Sequence, residues 1–301
     1  MSSGEITNLN VLREQMMRLR GDMERSPDVA IVIPVNAKGD LRAVLKPLSD
    51  IIHYTGQNTV EIILVINNFP ADNPPPEIEE FRNQGVRVVA APSARRPGEV
   101  VILSARALGV RAAEASVTVH FDADNHIVDI NALLDWYVQC LKSGAQLAYS
   151  HVDFLDVRNI PSIRAKIAIH HALRWGKRNL LGIPTTLGCN CAIDRSLYLR
   201  LYDAGKLSVD LQLGPTAKLA GARIVYSGRP NLTVYTSGRT FRGGWARLFR
   251  MLRYRLRYNL RVLPTPFRDV TRTSRDGFDW ESERREVRVL PGEGESVNTQ
   301  R

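Results

Sequence analysis

The chain has 301 residues, enough for one α/β domain with a sizeable core, and its 44% hydrophobic and 24% charged residues exclude a disordered polymer. No apolar run reaches the ~20 residues of a membrane-spanning helix, the start Met1–Glu5 lacks a secretory pattern, and three cysteines (Cys140, Cys189, Cys191) are too few for a disulfide framework. The net charge of +10 is uneven, at −4 over residues 1–150 and +14 over residues 151–301. This points to an acidic partner for the second half: nucleic acid, a phosphorylated ligand or an anionic membrane.

Residues 5–25 predict an amphipathic helix, with Leu9, Leu12, Met16, Leu19 and Met23 at spacings of three and four. Val29–Val35 is a continuous apolar run, as in a strand buried on both faces of a parallel sheet. A helix over Leu41–Tyr54, a strand over Glu61–Ile66 and a proline-rich loop over Asn67–Pro76 follow. The pattern then predicts a strand over Val86–Ala90, a helix from Val100 to Ala115 and a strand over Val117–Phe121. Such alternation means a doubly wound α/β unit, whose ligands bind at the carboxyl ends of the strands. Further on, helices are expected over Ile130–Lys142, Ile160–Leu180, Ser196–Tyr202 and Leu211–Ala220. Strands are expected over Gln146–Phe154, Leu187–Ile193 and Arg223–Tyr226. Cys189 and Cys191 would share one strand face as structural thiols. Past Phe267 the chain turns charged and poor in aliphatics, the composition of a mobile tail.

The fourth strand ends in Phe121-Asp122-Ala123-Asp124-Asn125. Two carboxylates this close repel each other, and keeping both ionised calls for a cation. A hard divalent ion with oxygen ligands, bridging to a substrate diphosphate, would supply it. The same spacing also suits a turn or a helix cap assisted by Asn125.

Four segments in order resemble a family-2 nucleotide-sugar glycosyltransferase of the GT-A fold, over roughly residues 28–245. They are Val29–Asn36 with its Pro-x-Asn step, Ser104–Ala113, Phe121–Asp124 as an Asp-x-Asp motif, and Gly188–Arg195 with Gly-x-Asn. The resemblance implies a single doubly wound mixed sheet with flanking helices. It implies Mn²⁺ or Mg²⁺ on Asp122 and Asp124, with Asp122 and Ala123 also at the donor. Pro34, Val35, Asn36, Asn67 and Arg106 would line the nucleotide sugar. Asp210 would be the general base that deprotonates an acceptor hydroxyl, although Val209 stands where the family has Glu. Asn67-Asn68 replaces the usual acidic contact to the base, which leaves UDP and GDP both open. All six histidines precede residue 172, which favours inversion over retention.

Thr236–Trp245 resembles a Thr-Ser-x-Arg segment that closes over the diphosphate through Arg239 or Arg242. From Arg239 to Arg261 there are eight arginines and no acidic residue. On a helix, Trp245, Leu248, Phe249, Leu252, Leu256 and Leu260 form a stripe that suits either an anionic membrane surface or packing on the domain. The expected organisation is an N-terminal helical extension (1–27) and a catalytic domain (28–242) with nucleotide-sugar and acceptor halves (28–125 and 126–242). A basic amphipathic helix (243–266) and the tail (267–301) complete it.

The expected partners are a nucleotide-diphosphate sugar and a hydroxyl acceptor that is a sugar, lipid-linked or small molecule. An anionic membrane surface is a further candidate partner, and nucleic acid is not expected. The expected place is the cytoplasm, free or on the inner membrane face. The competing readings are a nucleotidyltransferase of related fold and an inactive membrane-surface binding protein.

Overall fold

The computed structural model describes residues 9–21, 25–92, 100–155, 160–207, 210–242, 244–246, 248–250 and 252–253. The expected tail (267–301), most of the basic helix (243–266) and Val209 lie outside the described residues.

The chain opens with α1 (Leu9–Arg20), β1 (Val29–Asn36), α2 (Leu45–Ile51) and β2 (Val60–Asn67), then α3 (Glu77–Asn83) and β3 (Arg87–Ala91). It continues through α4 (Val101–Ala112), β4 (Val117–His120), β5 (His126–Ile127), α5 (Ile130–Lys142), β6 (Leu147–Ser150), β7 (Val152–Phe154) and α6 (Pro161–Asn179). The last elements are β8 (Cys191–Asp194), α7 (Arg195–Asp203), α8 (Leu213–Leu219), β9 (Ile224–Ser227) and β10 (Val234–Thr236). Short 3-10 turns cover Asp210–Gln212, Pro230–Leu232 and Arg239–Phe241.

A seven-stranded sheet runs β3-β2-β1-β4-β8-β6-β9. Strands β3, β2, β1 and β4 are parallel, while β8 runs antiparallel to both β4 and β6. The sheet is therefore mixed and doubly wound, as the sequence implies. Period-2 alternation splits its core between two faces. Ile31, Ile33 and Val35 pack with Leu48, Leu133 and Tyr137, whereas Ala30, Val32 and Val65 pack with Leu103, Val110 and Leu197. A Cβ on Gly109 would overlap Val32 and Val65, so glycine there lets α4 lie close on the sheet.

It is not a single sheet, however. A second, three-stranded sheet, β5-β10-β7, sits beside the end of β4. The expected strand 146–154 breaks at His151, because Ser150 still pairs with Asn190 whereas the His151 carbonyl accepts from Val234 of the small sheet. The expected strand 187–193 shortens to β8, since Asn190 Oδ1 accepts from the Leu187 N–H at 3.0 Å and turns the chain. Cys191 thus lies in β8 and Cys189 before it, both buried free thiols. Burial pushes the Cys191 thiol up to about 12.

The expected helix 41–54 begins late. Pro47 has no N–H to bond Ala43, so α2 starts at Leu45 with proline tolerated in its first turn. Unforeseen α3 follows Pro76, with Glu77, Glu79 and Glu80 favourably placed against the positive end of the helix dipole.

Candidate active site

The site forms where β4 runs out. Asn125, fully buried, closes the turn: its N–H donates to the Asp122 carbonyl at 3.1 Å and its Oδ1 accepts from the Asp122 N–H at 2.6 Å. Its Nδ2 donates to the Tyr235 carbonyl of β10 at 3.3 Å, which ties the carboxylate turn to the small sheet. Asp122 and Asp124 keep 25% and 24% of their side chains exposed. Ala123, between them, is buried.

Arg106 of α4 comes up beneath this turn. Its side chain is only 1% exposed, yet it is ion-paired with Asp122 and lies 2.6 Å from Asp210 Oδ2. Burial works against the guanidinium charge, but Asp210 and then Asp122 hold its pKa above the ordinary range. One buried cation therefore joins the Asp-x-Asp motif to the candidate base. Gly188 makes the pairing sterically possible, because a Cβ there would overlap Arg106 Nη1 and stand 2.5 Å from Asp210 Oδ2. Asn190 holds the same loop: its Nδ2 donates to the Ser150 carbonyl, and its own carbonyl accepts from Tyr137 Oη at 2.6 Å. The Gly-x-Asn motif is thus the floor of the Arg106–Asp210 pair.

Asp124 is met from the other side. Thr236 Oγ1 donates to its Oδ1 at 3.1 Å and Arg239 Nη2 to its Oδ2 at 2.6 Å. Burial and then repulsion by Asp122 nevertheless raise the Asp124 pKa, against the opposing pull of Arg239 and Thr236. A dication shared by the pair would relieve the repulsion between Asp122 and Asp124. The oxygen-only donor set of Asp122, Asp124 and Thr236, with the second oxygen of Asp122 accepting no hydrogen bond among the described residues, fits a hard divalent cation.

The remaining expected residues are arranged around the ends of β1 and β2. Asn36 and Asn67 are register partners. Asn36 Oδ1 accepts from the Lys38 N–H at 3.0 Å and from Asn68 Nδ2 at 3.1 Å. Asn67 is buried and turns its amide back to the Val65 carbonyl at 3.4 Å. The half-buried amide is that of Asn68, held at φ 63 in the left-handed region, which asparagine tolerates. Pro34 and Val35 are buried, so only their backbone can face a ligand. Arg242, half-buried, follows the Arg239–Phe241 turn, and its N–H returns to the Arg239 carbonyl at 3.1 Å.

Four histidines have duties elsewhere. His126 Nδ1 lies 2.9 Å from Asp50 Oδ2, and buried His120 packs edge-on against Tyr198. Burial, then Arg106, keeps His120 well below its usual pKa and neutral. His151, Asp153 and His171 are grouped closely enough to hold a metal ion, apart from the Asp-x-Asp turn. Arg174 and Arg178 bear on His151 with the same sign as a cation, which favours reading the group as a polar network between β7 and α6. Asn125 closes the turn as its spacing allows, whereas Thr236 and Gly188 act in the site in ways their motif positions alone did not reveal.

No family model matches the chain, and no curated protein matches it. Solved structures do. The mannosyltransferase PcManGT of Pyrobaculum calidifontis, in complex with GDP-Man and Mn²⁺, superposes with a TM-score of 0.51 at 15% identity, over 88% of this chain and 76% of that one. Residues 1–349 of S. aureus TarS in complex with UDP give 0.48 at 14% identity, over 80% and 67%. A mycobacterial protein gives 0.49 at 19% identity, over 86% and 80%. At such identities the likeness is one of fold: the chain has the mixed α/β, GT-A type fold of glycosyltransferases.

Proposed function

We propose that this chain is a metal-dependent inverting glycosyltransferase that moves a hexose from a UDP- or GDP-sugar to an acceptor hydroxyl, on an anionic or lipid-linked acceptor. One observation carries the reading. A single buried guanidinium holds Asp122, at the expected metal site, and Asp210, the expected base, in one ion-paired unit. The mannosyltransferase of similar fold is solved with a nucleotide sugar and Mn²⁺, which suits this donor class.

In this reading Asp122 and Asp124 hold Mn²⁺ or Mg²⁺, which when bound neutralises the leaving diphosphate. Arg239 and Arg242 offer planar donor forks to phosphate oxygens, and Arg239 exchanges Asp124 for the donor as it binds. Asn36, Asn68 and the buried Asn67 line the base side at the ends of β1 and β2, with the backbone of Pro34 and Val35 beneath. Asp210 takes the proton of the acceptor hydroxyl on the face opposite the leaving group. Arg106 fixes the position of that carboxylate and is too buried to touch the sugar.

Calorimetry against a panel of sugar nucleotides, with Mn²⁺, with Mg²⁺ and with chelator, tests the proposal. Metal-dependent binding of a UDP- or GDP-sugar is the expected result. Absence of metal-dependent binding across the panel would remove it.

A further inference from the structure

Helix α6 buries one side and exposes an apolar other. Ile163, Lys166, His170 and Arg174, at spacings of three and four, are its buried residues, and Ile163 packs with Phe241 and Leu248. On the opposite side Ile169 is 38% exposed, Leu173 46% and Trp175 55%, and past the helix end Leu180 reaches 73% and Leu181 54%. Ala165, Ala168 and Ala172, also exposed, fill the strip between them. A helix on a water-facing surface normally turns polar residues outward, and a contiguous apolar strip marks a contact site. Trp245 and Phe249 are exposed as well, and the Lys166 ammonium sits 5.5 Å from the Trp245 ring, which places that aromatic beside α6.

Charge selects the occupant. Residues 160–193 contain five Lys and Arg and no Asp or Glu. By the 3.6-residue repeat, Arg164 borders the apolar strip on the Trp175 side and Lys177 borders it on the Leu173 side, whereas Lys166 and Arg174 are buried and Arg178 stacks on the Tyr226 ring at 3.7 Å. A second copy of this chain would set cations against cations. An anionic bilayer offers acyl chains to the strip and phosphates to its borders. Among the described residues no helix is long and apolar enough to cross a membrane, so α6 would lie on the surface.

We propose that α6, through Ile169, Leu173, Trp175, Leu180 and Leu181, is the face by which this protein docks on an anionic lipid bilayer. The inference is independent of the chemistry at Asp122 and Asp124. It is also distinct from the expectation for residues 243–266, because it rests on a different helix.

Flotation of the full chain with phosphatidylglycerol-containing vesicles and with pure phosphatidylcholine vesicles tests it. The wild type floats with the anionic vesicles and markedly less with the neutral ones. The triple variant Trp175→Ser, Leu180→Ser, Leu181→Ser loses about tenfold or more in partition, as expected for withdrawing three large apolar side chains from lipid. Its circular dichroism and urea midpoint match those of the wild type, which shows it folded, while Asp124→Asn floats normally and so separates this inference from the enzymatic one. No flotation, equal flotation of the triple variant, or equal recovery with neutral vesicles would overturn the proposal. So would a triple variant that changes only a dimer–monomer equilibrium in sedimentation, since a second copy would then be the occupant.

Discussion

Arg239 Nη2 stands 2.6 Å from Asp124 Oδ2, so the guanidinium holds the oxygen that a divalent ion would also seek. The two cations compete, and a partly exposed pair of this kind contributes about 1 kcal/mol. Without nucleotide, Arg239→Gln should therefore tighten Mn²⁺ binding about fivefold while weakening the sugar nucleotide, whose diphosphate loses a partner. Titration calorimetry reads both constants, and a parallel loss of the two would contradict competition.

Asp124 and Asp210 should fail in different ways. Asp124→Asn is expected to abolish metal-dependent donor binding. Asp210→Asn should leave donor affinity nearly intact and lower turnover by roughly 10²–10⁴, the range for loss of a general base. Initial rates at saturating donor, set beside binding constants, separate the two. A fully active Asp210→Asn would remove the base assignment.

Two glycine substitutions form a matched pair. Gly109→Ala presses on Val32 and Val65 in the core, and Gly188→Ala presses on Arg106 and Asp210. Each should cost about 1–3 kcal/mol in urea unfolding through overpacking. Only Gly188→Ala should also cut turnover, because it displaces the guanidinium that positions Asp210. Equal turnover of the two variants would argue against a positioning role for Arg106.

Arg106 itself is open to a harsher test. Arg106→Leu leaves Asp122 and Asp210 without their cation and should cost about 3–5 kcal/mol, the range for breaking a buried ion pair. Arg106→Lys should rescue little of this, since one ammonium lacks the planar fork that reaches two carboxylates. Denaturant titration of both variants decides the point.

The polar network of β7 and α6 should give the fold an acid limb. Burial, then Arg174 and His171, depress the His151 pKa from the ordinary 6.5 to about 4. In that window the unfolded chain takes up a proton that the folded chain refuses, so stability falls as pH falls from 6.5 toward 4. His151→Gln removes the group in both states and should flatten the urea midpoint across that window. An unchanged slope would show that His151 is not its source.

Much of this is legible in the sequence. The apolar runs at β1 and β2 and the 3.6-residue repeat of α5 are strong local patterns, and α5 spans Ile130–Lys142 as the periodicity predicts, with Asp129 Oδ1 accepting from Ala132 N–H at its start. The carboxylates at the end of β4 followed from strand position alone. What stayed hidden depends on partners distant in the chain. β5 and β10 have two and three residues, too few to show any period, and exist because β10 pairs with β5 on one side and with β7 on the other. The Arg106–Asp210 pair and the hold of Thr236 on Asp124 leave no local trace, since burial and contact at such separations are properties of the fold. The reversal of β8 was equally invisible, because a buried strand reads alike in either direction.

The small sheet also sets an order in time. Thr236 and Arg239 lie 112 and 115 residues beyond Asp124. At ribosomal speeds of roughly 5–20 residues per second, the carboxylate turn is made about 6–23 seconds before its hydroxyl and guanidinium partners exist. During that interval the nascent turn also lacks the Tyr235 carbonyl that anchors Asn125. The growing chain thus carries a half-built acidic loop, open to any cation in its surroundings, and β10 is the strand whose synthesis closes it.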